Sequence, residues 1–277
     1  MLHAAAKKRR PRGWCWTVLA LGVAALDLLP LALVTKQAFT PESESLAWPP
    51  TWWPRELTLA HFTTAGDSLR LAEGLWLSLS VALLTVALTL TLVLPAAWMA
   101  ARSERGDRAL DAGVLVARLF PPLALAVPLG AIFVRLGLYN HPDGLGLWLA
   151  HTLLGIPFAF FILRGAFREL PVDLEEAARL DGAGSFGVFW HVSLPLVRPS
   201  LAAAAMLVFL VSWDEFAYAL LLQVTNRPLT GLVYYFSAFG HPGLASAVAV
   251  IMVVPAIVVL VLLLPALRGG ALAGSGR

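Results

Sequence analysis

Lysine is nearly missing from this chain. Among 277 residues only Lys7, Lys8 and Lys36 carry an ammonium group. A phosphate-binding Walker loop needs a lysine to reach the β- and γ-phosphates. These three precede any segment in which a nucleotide domain fits, so the chain is not itself an ATPase. Cysteine is represented by Cys15 alone, which excludes an intrachain disulfide. Charge of either sign is scarce: 13% of residues are charged against 59% apolar, far from the balance of a soluble domain. The six histidines are widely scattered. They give neither a metal cluster nor a nucleophile–base pair, and no catalytic residue is expected. The one basic run, Lys7, Lys8, Arg9, Arg10 and Arg12, has no interleaved aromatic residues. It therefore reads as a membrane-flanking segment and not as a nucleic-acid platform.

Long apolar runs are what the chain has in abundance. A hydrocarbon core takes roughly 20 apolar residues per helix. Six segments approach that length, at about 14–35, 74–100, 112–136, 145–167, 199–224 and 243–267. The third and fourth are the weakest, since Pro121, Pro122 and Pro128 interrupt one and His151 and Pro157 the other. Such breaks are tolerated inside a bundle, where neighbours satisfy the freed backbone carbonyls. The first run is longer than a signal-peptide core and has no small-x-small site near Lys36, so an uncleaved span is expected. The fold class is all-α, a polytopic membrane protein with about six spans in contact with lipid. Its expected parts are a basic N-terminus at 1–13, a first span at 14–35, an external loop at 36–73, a core at 74–267 and a tail at 268–277.

Basic residues set the orientation. Lys36, Arg55, Arg70, Arg135 and Arg227 fall on one side, and the other fifteen of the 20 fall on the opposite side. Both termini are therefore expected in the cytoplasm, together with the 170–198 segment. The 36–73 loop is then external, with Trp48, Trp52 and Trp53 suited to the membrane interface.

The segment between the fourth and fifth runs is unlike the rest. It carries Asp173, Glu175, Glu176 and Asp181 against Arg179 alone. An interfacial helix needs a basic face, so this acidic stretch is expected to dock on protein and not on anionic lipid. Asp173 and Glu176 have capping-box spacing, with a short helix expected from about Leu174 to Leu180. Ala177 and Ala178 allow close approach of another surface. Gly182 and Gly184 end the helix, Ser185 is placed to cap a second one reaching about Val192, and Pro195 and Pro199 stop that. Two short helices on a glycine hinge form a rigid knob.

The order Glu176-Ala177-Ala178, Gly182, Val192, Leu194 and Pro195 resembles the cytoplasmic loop by which permease subunits of bacterial ABC importers grip their ATPase. Pro95-Ala-Ala-Trp-Met-Ala-Ala-Arg102, Phe120-Pro-Pro-Leu, Ala126-Val-Pro-Leu and Leu136-Gly-Leu-Tyr-Asn140 extend the likeness over nearly the whole chain. They resemble the carbohydrate-type permeases, the group that includes the second permease of malto-oligosaccharide and glycerol-phosphate systems. Trp213-Asp-Glu-Phe216 is similar to that group's Trp-Asn-Glu-Phe sequence, with Asp214 in place of the asparagine. Leu77-Ser-Leu79 likewise departs from an Asn-Ser-Leu. The resemblance implies a second permease, two ATPase subunits holding ATP and magnesium, and an extracytoplasmic solute-binding protein as partners. No cofactor is implied for this chain. The expected coupling residues are Glu175, Glu176, Ala177, Ala178, Asp181, Gly182, Ala183, Leu194 and Pro195.

Ionisable groups at membrane depth are costly enough to point to function. Trp213, Asp214, Glu215 and Phe216 are the expected translocation-path candidates. The two acids either contact a polar solute, pair with a base such as Arg118 or Arg135, or line a vestibule. His151 and Gln223 are expected to pack with satisfied hydrogen bonds. A proton-coupled carrier with Asp27, Asp214 and Glu215 as a relay is the rival from another class, followed by a non-transporting scaffold and an importer of polyamines or another small solute.

Overall fold

The structure, a computed structural model, describes residues 13–67, 69–103 and 107–273. The basic run at 7–12 and the last tail residues lie outside the described residues. In chain order the helices begin with α1 (Gly13–Ala38), α2 (Glu42–Ser45), α3 (Ala60–Gly66), α4 (Leu69–Ala101) and α5 (Asp107–Leu119). They continue with α6 (Pro122–Leu136), α7 (Leu145–Glu169), α8 (Val172–Leu180) and α9 (Ser185–Val188). A π-helical turn, Phe189–Ser193, leads into α10 (Leu194–Leu196) and α11 (Arg198–Trp213). The chain closes with α12 (Ala217–Leu222), α13 (Leu229–Ala238) and α14 (Pro242–Ala273). No strand occurs among the described residues.

Four of these helices, α1, α4, α7 and α14, are long and apolar enough to cross a bilayer. They coincide with the first, second, fourth and sixth expected runs. Pro157 lies inside α7 without ending it. The other two runs differ from expectation. The third is divided, because Pro121 takes an extended conformation between α5 and α6, and Pro122 opens the second half. The fifth breaks at Asp214–Phe216 into α11 and α12. The 170–198 segment forms an elbow, whose second half, Ser185–Leu196, meets α11 at 78°. α13 had no counterpart in the hydropathy pattern.

Small residues let the central helices approach closely, which matters where lipid is as apolar as leucine and burial alone does not drive association. α4 and α7 form the most extensive pair, with Ala82, Ala97, Ala150 and Ala159 buried. At Gly155 a β-carbon would come within 3.0 Å of both Thr89 on α4 and Val208 on α11. That glycine lets three helices meet. One end of the bundle gathers Trp98, Arg102, Asp111, Arg164 and the elbow. The other gathers the 36–66 loop, the 139–143 turn and the 223–243 stretch, through contacts such as Asn140–Thr225 and His241–Glu42. By contrast, α1 leaves nearly all its side chains uncovered.

Candidate functional site

Pro171 sets the entry to the elbow. Its fixed φ of −57° places it at the N-cap of α8, with no side-chain cap. The expected capping box from Asp173 is therefore not formed; Asp173 lies inside the first turn, where an acid favours the helix N-terminus. The far end follows the sequence reading more closely. Gly182 adopts φ +89°, its N–H bonds the Arg179 carbonyl, and the Ala183 N–H reaches back to Ala178 at 2.9 Å. This is a Schellman closure, which requires the left-handed conformation that glycine adopts without strain. α9 then starts at Ser185 with Gly184 as its N-cap, so Ser185 is not the cap. Pro195 does not end this second helix either. Lacking an N–H and crowding the carbonyl four residues back, it sits just after the wide π turn at Phe189–Ser193, and the helix runs on to Leu196.

Glu175 holds the elbow to the bundle. It is 1% exposed. Its carboxylate accepts hydrogen bonds from Trp98 Nε1 at 3.0 Å, Arg102 Nε at 3.1 Å, Arg102 at a terminal guanidinium nitrogen at 2.9 Å, and Ser193 Oγ at 2.7 Å. Arg179, one turn on, approaches to 3.9 Å. Burial pushes the carboxyl pKa up, but the bonds from Arg102, Ser193 and Trp98 outweigh it, together with the Arg102 charge. The result is a group held down at about 2, ionised at any physiological pH. One carboxylate thus joins α8, the π turn and the end of α4.

The expected coupling residues divide into two sets. Glu175 faces the chain's own interior, whereas Glu176, Ala177, Asp181 and Gly182 are exposed. Ala178, Ala183, Leu194 and Pro195 are half-buried. Leu174, Leu180 and Phe186 add uncovered apolar surface beside the exposed acids, Leu180 at 89% exposure. The sequence pattern placed Glu175 among the coupling residues but did not show that it turns inward as an anchor. The signal was present in Trp98 and Arg102, four residues apart and so on one helix face.

The second region is the helix break at 214–216. Glu215 caps α12: its carboxylate accepts the backbone N–H groups of Ala217 at 3.0 Å and Tyr218 at 2.8 Å. His151 on α7 lies 3.5 Å from the same carboxylate and bonds Ser212 at 2.8 Å through its other ring nitrogen. Trp213 is a packing residue, buried with its indole donating to the Met252 carbonyl and its ring stacked on Phe209. Asp214 and Phe216 instead open on a cavity of about 510 Å³, shared with Arg118, Phe120 and Phe158. The Arg118 guanidinium lies 3.8 Å from the centre of the Phe158 ring. Both broken runs, at 120–121 and 214–216, therefore border one cavity. Gln223 is satisfied by the His141 carbonyl. Asp27 is exposed on α1, and among the described residues no hydrogen bond or ion pair joins it to Asp214 or Glu215. No group of metal-binding side chains occurs among the described residues.

Comparison with known proteins is consistent with this geometry. Residues 93–268 match the family described as "Binding-protein-dependent transport system inner membrane component". The chain is 33% identical over 252 residues to the sulfoquinovosyl glycerol transport system permease protein of Agrobacterium fabrum, covering 89% of this chain and 88% of the relative. It is 32% identical over 261 residues to the trehalose transport system permease protein of Mycobacterium tuberculosis, covering 89% and 91%. Among solved structures, a bacterial ABC transporter that imports the acidic polysaccharide alginate superposes with a TM-score of 0.72 at 19% identity, over 95% of this chain and 99% of that one. That last likeness bears on the fold.

Proposed function

We propose, from the premise that this chain belongs to the family of binding-protein-dependent transport system inner membrane components, that its elbow is the lever through which an ATPase drives alternating access. The protein is a multi-pass inner-membrane permease of an ABC importer, and hydrolysis is carried out by separate ATPase subunits. The assembly we envisage adds a second permease, two ATPase subunits with ATP and magnesium, and an extracytoplasmic solute-binding protein. The elbow end of the bundle is cytoplasmic in this reading, as the distribution of basic residues favours. The observation that carries the lever is the Glu175 anchor: a pull on the exposed face of α8 is passed to α4 through Trp98 and Arg102.

The solute is a sugar or a related polyol or glycerol-phosphate compound. The two relatives above are named for sulfoquinovosyl glycerol and trehalose. The cavity at the two helix breaks supports this class, with three aromatic rings, the Arg118 guanidinium and the carboxyl groups of Asp214 and Glu215 on its walls. Apolar walls with a few convergent polar groups are the usual make-up of a small-molecule site. Broken helices are also where membrane transporters expose backbone to solute.

Proteoliposomes holding the whole complex test this reading. Uptake of a labelled disaccharide should require ATP, the ATPase and the binding protein, and persist when a protonophore is added. Uptake without the ATPase that collapses with the proton gradient would overturn it.

A further inference from the structure

At the end of the bundle opposite the elbow lies a charged cleft of about 660 Å³. Its walls include Arg70 and Glu73 at the start of α4, Thr225, Asn226 and Arg227 from the α12–α13 connection, and Tyr235 on α13. Gly74 brings these walls together. A β-carbon there would meet the Arg227 carbonyl at 2.9 Å and Leu232 at 2.6 Å, so α4 runs hard against the connection and places Arg70 and Glu73 beside Arg227. The connection is also clamped. Thr225 and Asn140 exchange two hydrogen bonds, Asn226 donates to the Pro142 carbonyl at 2.8 Å, and the Leu229 N–H bonds Ser78 at 2.8 Å. The Arg227 guanidinium lies 4.7 Å from the centre of the Tyr235 ring. Among the described residues, no carboxylate comes within ion-pair distance of Arg70 or Arg227.

We infer that this cleft receives an acidic side chain of the solute-binding protein. Two arginines set against one glutamate leave a net positive cleft, and guanidinium forks pair with carboxylates in a bidentate geometry. Clamping the backbone reduces the freedom lost on docking, which favours the bound state. The occupant follows from the proposed function, in which this end of the bundle is external and a binding protein delivers the solute. Glu73 opposes the same carboxylate, so the three charged residues make predictions of opposite sign.

The test uses the complete complex in nanodiscs of phosphatidylcholine, with ATPase activity followed as solute-loaded binding protein is titrated. Arg227→Glu, and separately Arg227→Gln, should raise the half-maximal concentration, the former by roughly tenfold at low salt. Glu73→Gln should lower it. Basal ATPase activity should not change. Raising salt from about 50 to about 300 mM should shrink the differences, because exposed charges are screened over a shorter distance. Titrations of both Arg227 variants that superimpose on wild type would sink the assignment, as would a Glu73→Gln shift in the same direction as Arg227→Glu. An equal change in basal activity without binding protein would point to lipid or solute as the cleft's occupant and overturn it. Wild-type complex that transports but is indifferent to binding protein removes the partner and leaves the lever intact; failure to transport at all sinks the underlying functional reading.

Discussion

At Glu175 a single carboxylate on α8 satisfies donors from α4 and the π turn, and a buried charge of this kind is costly to leave half-paired. Glu175→Gln keeps the shape but leaves Arg102 without its counter-ion. Removing one member of a buried pair costs on the order of 3 kcal/mol. We expect a lower melting temperature for the detergent-solubilised variant, with little extra loss on adding Arg102→Met; additive losses would mean the two residues do not act together. The sign of the pH dependence follows from the depressed pKa. The folded carboxyl titrates at about 2 and its unfolded reference is 4.5. Its stabilisation is therefore complete above the reference value and is lost as pH falls from there towards 2. Melting curves between pH 6 and pH 3 should show wild type losing this margin only in the lower part of the range. Glu175→Gln should lack that component.

At the scale of elements, the elbow's geometry depends on where α8 stops. A methyl group at Gly182 meets nothing within 4 Å, so Gly182→Ala carries only the backbone strain of φ +89°, about 1 kcal/mol. Gly182→Pro is different in kind. Proline cannot adopt that φ and removes the N–H bonded to Arg179, so α9 is re-aimed relative to α8. ATP-driven transport should survive the alanine variant and fail in the proline variant, with both inserted in the membrane; equal activity in the two would contradict the lever. The glycine stop was legible in the sequence because its cause is local. The acidic character and position of the elbow were legible for the same reason, as were the four long apolar helices. The break at 214–216 was not. A hydropathy window runs unbroken from α11 into α12, and the break is held by a carboxylate capping α12 with His151 of a distant helix beside it. The π turn and α13 were hidden too, one depending on Pro195 and the other being only ten residues long.

For the whole molecule, the surface left over is as informative as the core. Along the bundle, uncovered apolar residues face lipid or membrane partners, and they need no further account. At the elbow end the exposed apolar residues sit among acids that disfavour an anionic bilayer surface. Leu174, Leu180 and Phe186 are therefore best suited to a protein groove with a basic rim. Leu180 gives the cleanest separation of docking from folding, because a side chain 89% exposed contributes almost nothing to the fold. Buried apolar anchors dominate many interfaces, and placing a charge at one weakens association by roughly tenfold or more. Leu180→Asp should then leave the melting temperature of the isolated permease unchanged while the ATPase subunits co-purify poorly and ATP-driven uptake falls. Glu175→Gln should lower stability and coupling together. A Leu180→Asp protein that retains its ATPase subunits at wild-type levels would place the docking surface elsewhere, and the anchored elbow would be a structural strut with no engine attached.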